Sequence, residues 1–137
     1  MAADDEAVVR RFYEQMCNER KNDLAGDLFT ADHEMHDPQL TTGRGPQGMV
    51  DAISTYQDGV EGHWELNDIF STGNRVVVRW TGTGTHSGTV NGIPPTGKKV
   101  DVSAITIHHM RDGKIAETYE VWDTLGFLQQ IGVVPSQ

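Results

Sequence analysis

SAITIHHMRDGKIAETYEVWDTLGFLQQIG, residues 103–132, reads as two β-compatible runs around Arg111-Asp112-Gly113, followed by a short helical pattern. His108, His109, Glu117, Glu120 and Asp123 are strung along these runs, where a small domain normally buries apolar groups. The turn decides which of them meet. A two-residue Asp112-Gly113 turn sets Glu120 opposite Ile105, on the face of His109. A three-residue loop with Gly113 left-handed in a bulge sets Glu120 opposite Ala104, on the face of Thr106 and His108. Asp followed by Gly suits the second, a type I turn ending in a left-handed residue. It predicts one face of Ala104, Thr106, His108, Thr118, Glu120 and Trp122, small and polar like a pocket lining. Ile105, Ile107, His109, Ile115, Glu117, Tyr119 and Val121 then share the other face.

Outward from this hairpin, Trp64–Phe70, Arg75–His86 and Lys98–Met110 also carry period two, so the C-terminal half predicts a mostly antiparallel sheet. Ser71-Thr72-Gly73-Asn74 is a turn, and the Gly- and Pro-rich Ser87–Gly97 is a longer loop or a small hairpin arm. Earlier in the chain Val8, Val9, Phe12, Tyr13, Met16 and Cys17 recur at four-residue steps, predicting an amphipathic helix from Asp4 to about Arg20. Asn22 caps a shorter helix that buries Leu24, Leu28 and Phe29, and Thr30–Pro38 runs extended or turning. Gly45-Pro46 opens a third helix on Met49, Val50, Ile53 and Tyr56, ending near Gly59. Leu125, Leu128 and Ile131 are the stripe of a terminal helix stopped by Gly132 and Pro135. Helices followed by strands predict one α+β domain over residues 1–137, a cone-shaped curved sheet covered by helices, with an interior for a small ligand.

A net charge of −9, with only eleven scattered Lys and Arg, argues against nucleic acid and anionic membranes as partners. No run approaches the length of a membrane span, and the acidic start is unlike a signal peptide. The single cysteine, Cys17, sits in the helical stripe as a packing residue. These features predict a cytoplasmic protein.

The succession of helix one, His36-Asp37-Pro38, Gly43-Arg44-Gly45-Pro46, Gly84-Thr85-His86, Pro94-Pro95-Thr96-Gly97-Lys98 and Asp112-Gly113-Lys114-Ile115 resembles the SnoaL-like polyketide cyclases, or ester cyclases. The resemblance runs from about Glu6 to Gly132 and implies the nuclear transport factor two-like, cystatin-like fold, a helix-covered cone. It further implies an intramolecular aldol condensation, without metal or cofactor, that closes a ring of an aromatic polyketide ester. The family's acid/base is an aspartate five positions after the Ile of Asp-Gly-Lys-Ile, which falls on Glu120 here; Asp123 is the neighbouring alternative. The polar residues of the preceding strand fall on Ala104 and Thr106, and His36 and Asp37 lie in a segment that the family sets at the pocket rim.

Such a reaction needs a base for a carbon acidified by a carbonyl, and a proton for the new alkoxide. One carboxylate does both, better if desolvated beside Trp122. His108 is the candidate donor to the acceptor oxygen, and Thr106 orients either partner. His108 and His109 are neighbours on a strand and point to opposite faces. Arg79 interrupts Val76-Val77-Val78, so it either contacts an anionic ligand or pairs with Glu117 or Asp101. Asp123 either takes part in catalysis or caps the terminal helix. His33 and His36 lack a second cluster spaced to complete a metal site, so no metal is expected. Two other readings stay open: a limonene-type epoxide hydrolase using Arg79, Asp101 and Asp123, and a non-catalytic module binding hydrophobic ligands. The expected ligand is a small hydrophobic or aromatic carbonyl compound. Ile105, Ile107 and Val121 on the second hairpin face predict a homodimer.

Overall fold

The computed structural model describes residues 2–39 and 43–136. Its centre is one five-stranded sheet formed by β1 (Phe29–His36), β2 (His63–Thr72), β3 (Arg75–Thr85), β4 (Lys99–Arg111) and β5 (Lys114–Trp122), in the order β1-β5-β4-β3-β2. Three pairings are antiparallel, and β1 joins β5 in parallel. The segment expected to run extended or turning after Thr30 is therefore an edge strand. Along β4 burial alternates strictly: Val100, Val102, Ala104, Thr106, His108 and Met110 face in. Irregularities in β2 near Asn67 and in β5 near Ala116 add local twist and bend to the sheet.

The β4–β5 hairpin departs from both predicted registers. Asp112 and Gly113 both have positive φ, 51° and 78°, the two-residue type I′ turn whose twist matches the flanking strands. Arg111 pairs with Lys114 and Met110 with Ile115, after which Ala116 bulges and His109 pairs with Glu117. Beyond the bulge Glu120 stands opposite Thr106, not Ala104 or Ile105. The face of Ala104, Thr106, His108, Thr118, Glu120 and Trp122 is as predicted. Ile115 moves to the inner side and is fully buried, because the bulge shifts the alternation between it and Glu117.

The N-terminal helix is not uniform. α1 (Ala2–Arg11) passes directly into a π-helical segment, Phe12–Asn18. Phe12, Tyr13, Met16 and Cys17 are all buried there, and the wider turn carries two adjacent pairs onto one face. The buried Gln57 donates through Nε2 to the carbonyls of Met16 (3.1 Å) and Cys17 (3.0 Å). Asn18 forms a two-way pair with the Trp64 backbone (2.7 and 2.8 Å), which ties the helix end to β2. A short 3-10 turn (Asn22–Leu24) and α2 (Ala25–Leu28) lead into β1, and α3 (Gly45–Gly59) crosses the inner face with Met49 and Ile53 buried. In α4 (Thr124–Gln130) and just after it the buried residues are Phe127 and Ile131; Leu125, expected inside, is 57% exposed because the helix turns it to solvent. No helix among the described residues is long and apolar enough to cross a membrane.

Candidate active site

Between the N-terminal helix, α3, α4 and the inner face of the sheet lies a cavity of about 680 Å³ measured out to its open mouth. Phe12 and Tyr13 come from the π-helical turn, Met49, Ile53 and Tyr56 from α3, Trp64 and Trp80 from β2 and β3, and Trp122 and Phe127 from the C-terminal end. Two glycines, Gly62 and Gly82, complete the wall against tryptophan rings. A Cβ at Gly82 would stand 3.0 Å from the Trp80 ring, and one at Gly62 3.1 Å from that of Trp64. A wall this apolar suits a flat hydrophobic ligand.

Glu120 is the one carboxylate among the described lining residues. Its exposure is intermediate and opens onto the cavity, while protein surrounds it on every other side. Thr106 donates its hydroxyl to Glu120 Oε1 at 3.2 Å, and Trp80 Nε1 donates to that same hydroxyl oxygen at 3.0 Å. The indole N–H therefore fixes the direction in which Thr106 donates. Asp37, at the end of the β1 segment, is buried beside Glu120. Its Oδ1 accepts the Gln39 backbone N–H at 2.8 Å, and its Oδ2 has no hydrogen-bond partner among the described residues. Burial, then the facing Asp37 carboxyl, push Glu120 up from an ordinary 4.5 to about 8, against a smaller downward pull from Thr106.

Behind this wall runs a buried polar chain. Tyr13 Oη lies 2.8 Å from His108 Nε2, His108 Nδ1 3.0 Å from Thr118 Oγ1, and that oxygen 2.9 Å from His33 Nε2. All four side chains are buried. His33 Nδ1, at the far end, has no partner among the described residues. Donation running from His33 toward Tyr13 leaves a bare lone pair there; the reverse leaves an orphan N–H, which is the rarer defect. The first direction also frees the Tyr13 O–H to donate on the cavity side. Burial drives both imidazoles neutral, His108 down to about 3 and His33 to about 4.

The structure brings together four of the residues singled out in the sequence: Glu120, Thr106, Trp122 and Asp37. It separates the others. His108 sits behind the cavity wall, both nitrogens engaged, because Tyr13 stands between it and the ligand space. His36 lies on the outer face of the sheet, stacked on Tyr119 and 2.8 Å from Glu117, since β1 alternates and Met35 takes the inward position. Arg79 is on the outer face too, half-exposed and paired with Asp68 at 2.6 Å rather than with Glu117 or Asp101. Asp123 is exposed and accepts the Gly126 N–H at 2.9 Å, the cap of α4. Arg79, Asp101 and Asp123 therefore do not surround a common point, which removes the residues of the epoxide hydrolase reading. In the sequence Tyr13 and Tyr56 stand only as members of helical apolar stripes, and Trp80 carries no signal beyond its strand. The available signal was that a tyrosine in a buried stripe must bring its hydroxyl to a partner.

The sequence profile of the SnoaL-like polyketide cyclase family matches residues 7–131. The aklanonic acid methyl ester cyclase DnrD of Streptomyces peucetius is 30% identical over 131 residues, an overlap covering 91% of this chain and 88% of that protein. TsrD from Streptomyces laurentii superposes with a TM-score of 0.86 at 26% identity, over 96% of this chain and 97% of its own. A SnoaL-like protein of Jannaschia sp. CCS1, at 20% identity, shares the fold with a TM-score of 0.88, over 98% and 95% of the two chains. With its profile spanning nearly the whole length and its helix-covered sheet shared with these relatives, the chain belongs to the SnoaL-like polyketide cyclase family.

Proposed function

We propose that the protein is a cofactor-free cyclase that closes a ring by intramolecular aldol addition, with Glu120 as its general acid/base. The observation that carries this reading is a lone carboxylate on the wall of an apolar cavity, raised to about 8 by burial and by Asp37. At pH 7 roughly a tenth of such a group is ionised, and that fraction is a far stronger base than an ordinary carboxylate. Glu120 removes a proton from the carbon next to the ester carbonyl. The enolate carbon then attacks a ketone of the same molecule, a C–C bond forms, and the carbonyl π pair moves onto oxygen. The proton held by Glu120 returns to that alkoxide, so substrate and product have the same mass. Asp37 keeps the carboxyl basic, Thr106 aims it, and the Tyr13 O–H stabilises the developing oxyanion. His108 acts through Tyr13 as a positioning residue. Trp122 and Tyr56 stack against the ring system.

A homodimer is part of the same reading, seated on the outer-face residues Ile105, Ile107 and Val121, of which Ile105 and Val121 are exposed. The proposed setting is the cytoplasm.

The test is incubation of purified protein with aklanonic acid methyl ester, the compound in the name of the curated relatives. The expected result is an isomer of unchanged mass in wild type and loss of at least about a hundredfold in rate for Glu120→Gln, the lower end of what general acid/base groups contribute. Turnover that persists in Glu120→Gln would overturn the residue assignment. Binding of that ester without conversion would make the protein a ligand-binding module.

A further inference from the structure

The other side of the sheet carries a second constellation, unrelated to the cavity. In the parallel β1–β5 pair Glu34 lies beside Glu117, and in the antiparallel β5–β4 pair Glu117 lies beside His109. The three form a row across adjacent strands, and His36, two residues along β1, points to the same outer face. Donor atoms of Glu34, His36 and Glu117 converge, and His109 stands beside the second oxygen of Glu117. His36 Nε2 is 2.8 Å from Glu117 Oε2 and 3.8 Å from Glu34 Oε2, and His109 Nδ1 is 3.6 Å from Glu117 Oε1. One ligand atom from each of Glu34, His36 and Glu117 falls within 4.8 Å of the others.

We propose that Glu34, His36, His109 and Glu117 form a binding site for a divalent transition-metal ion of the zinc type. A tetrahedral ion with ligands at about 2.0–2.1 Å holds its donor atoms roughly 3.3 Å apart. The separations about His36 Nε2, 2.8 Å to Glu117 Oε2 and 3.8 Å to Glu34 Oε2, bracket that spacing, and His109 Nδ1 approaches the other Glu117 oxygen at 3.6 Å. Two imidazoles with two carboxylates suit zinc rather than the all-oxygen shell preferred by calcium or magnesium.

The surroundings orient these ligands. Tyr119 donates to Glu117 Oε2 at 3.2 Å and stacks on the His36 ring, fixing both. Arg44 takes Glu34 Oε1 and leaves Oε2 toward His36. Outer-shell hydrogen bonds of this kind turn loose side chains into ligands. Chain spacing could not reveal the set, because its members come from three strands and meet only through register. The site would pin the edge strand β1, which is bonded to the sheet on one side only.

Zinc chloride titrated into the purified protein by calorimetry, with equilibrium dialysis for stoichiometry, tests the proposal. One ion per chain is expected, weakened at least tenfold in His36→Ala and in Glu117→Gln. Cobalt(II) should give the intense visible absorption of a four-coordinate ion, and zinc should raise the thermal midpoint of wild type but not of His36→Ala. Equal affinity in wild type and both variants, or no binding at all, would overturn the site and leave the cluster as a surface ion-pair network. These positions lie outside the cavity, so unchanged circular dichroism of the variants separates loss of the site from loss of the fold.

Discussion

Replacing Glu120 by glutamine should stabilise the protein, by an amount that grows with pH. The carboxyl has an ordinary value of 4.5 and about 8 in the folded chain. Below the lower value both states hold the proton, and between the two only the folded state does. The unfolded state then binds fewer protons, so stability falls as pH rises through this window and levels off above about 8. Each pH unit is worth about 1.4 kcal/mol, so the loss reaches about 3 kcal/mol by pH 7 and about 4 kcal/mol by pH 8. The substituted amide keeps the shape of the carboxyl, can still donate toward Asp37, and does not titrate. The difference between variant and wild type should therefore be near zero around pH 4.5 and open at about 1.4 kcal/mol per unit above it. Urea unfolding followed by tryptophan fluorescence, at intervals from about pH 5 to about pH 8, measures this directly. A difference that stays constant with pH would refute the reasoning, because it would mean that Glu120 ionises as freely in the cavity as in water.

His108→Leu should give curves of the opposite sense. His108 falls from 6.5 to about 3 on folding, so its contribution is present above pH 6.5 and is lost as pH drops toward 3. At neutral pH the variant should be less stable by about 2 kcal/mol, since Tyr13 and Thr118 lose their partner. In acid the gap should close by about pH 5 and then reverse, because leucine has no proton to accept; parallel urea series at both ends of the range would show the two curves crossing. Asp123→Ala should cost about 1 kcal/mol through the lost cap of α4. It should leave the Glu120 titration untouched, as carbon-13 NMR of the labelled carboxyl would report.

The sequence made the architecture legible because the sheet and α3 follow their periods. β4 alternates without interruption from Val100 to Met110, and the Gly45-Pro46 start of α3 stands where it was read. What periodicity missed lies where the period breaks. The bulge at Ala116 adds a residue that alternation cannot count, so a strict period of two puts Ile115 on the wrong face and the residues beyond it on the right one. The π-helical turn keeps the four-residue spacing of Phe12, Tyr13, Met16 and Cys17, and so looked like ordinary helix. Glu120 and Thr106 share a face already in the sequence because strand pairing is local, although the bulge sets them directly opposite each other where alternation expects Ala104 or Ile105 across from Glu120. The Asp37–Glu120 approach and the Tyr13–His108 bond join segments far apart in the chain, and nothing in either segment alone announces them. Arg79 misled for a simple reason: an outer face of a sheet is free to carry an arginine in a run of valines, and Asp68 across β2 receives it.

Gly82 has a reach that its size conceals. Its missing side chain lets the Trp80 indole lie against the strand, with a hypothetical methyl only 3.0 Å from the ring. From that position the indole N–H holds the Thr106 hydroxyl, and the hydroxyl holds the carboxylate. The two bonds work as a lever: a methyl added at Gly82 pushes the ring, the ring pulls on the hydroxyl, and the Glu120 carboxyl loses its hydrogen bond without having been touched. The width of the cavity at this point and the hydrogen bond that holds Glu120 thus depend on the same absence.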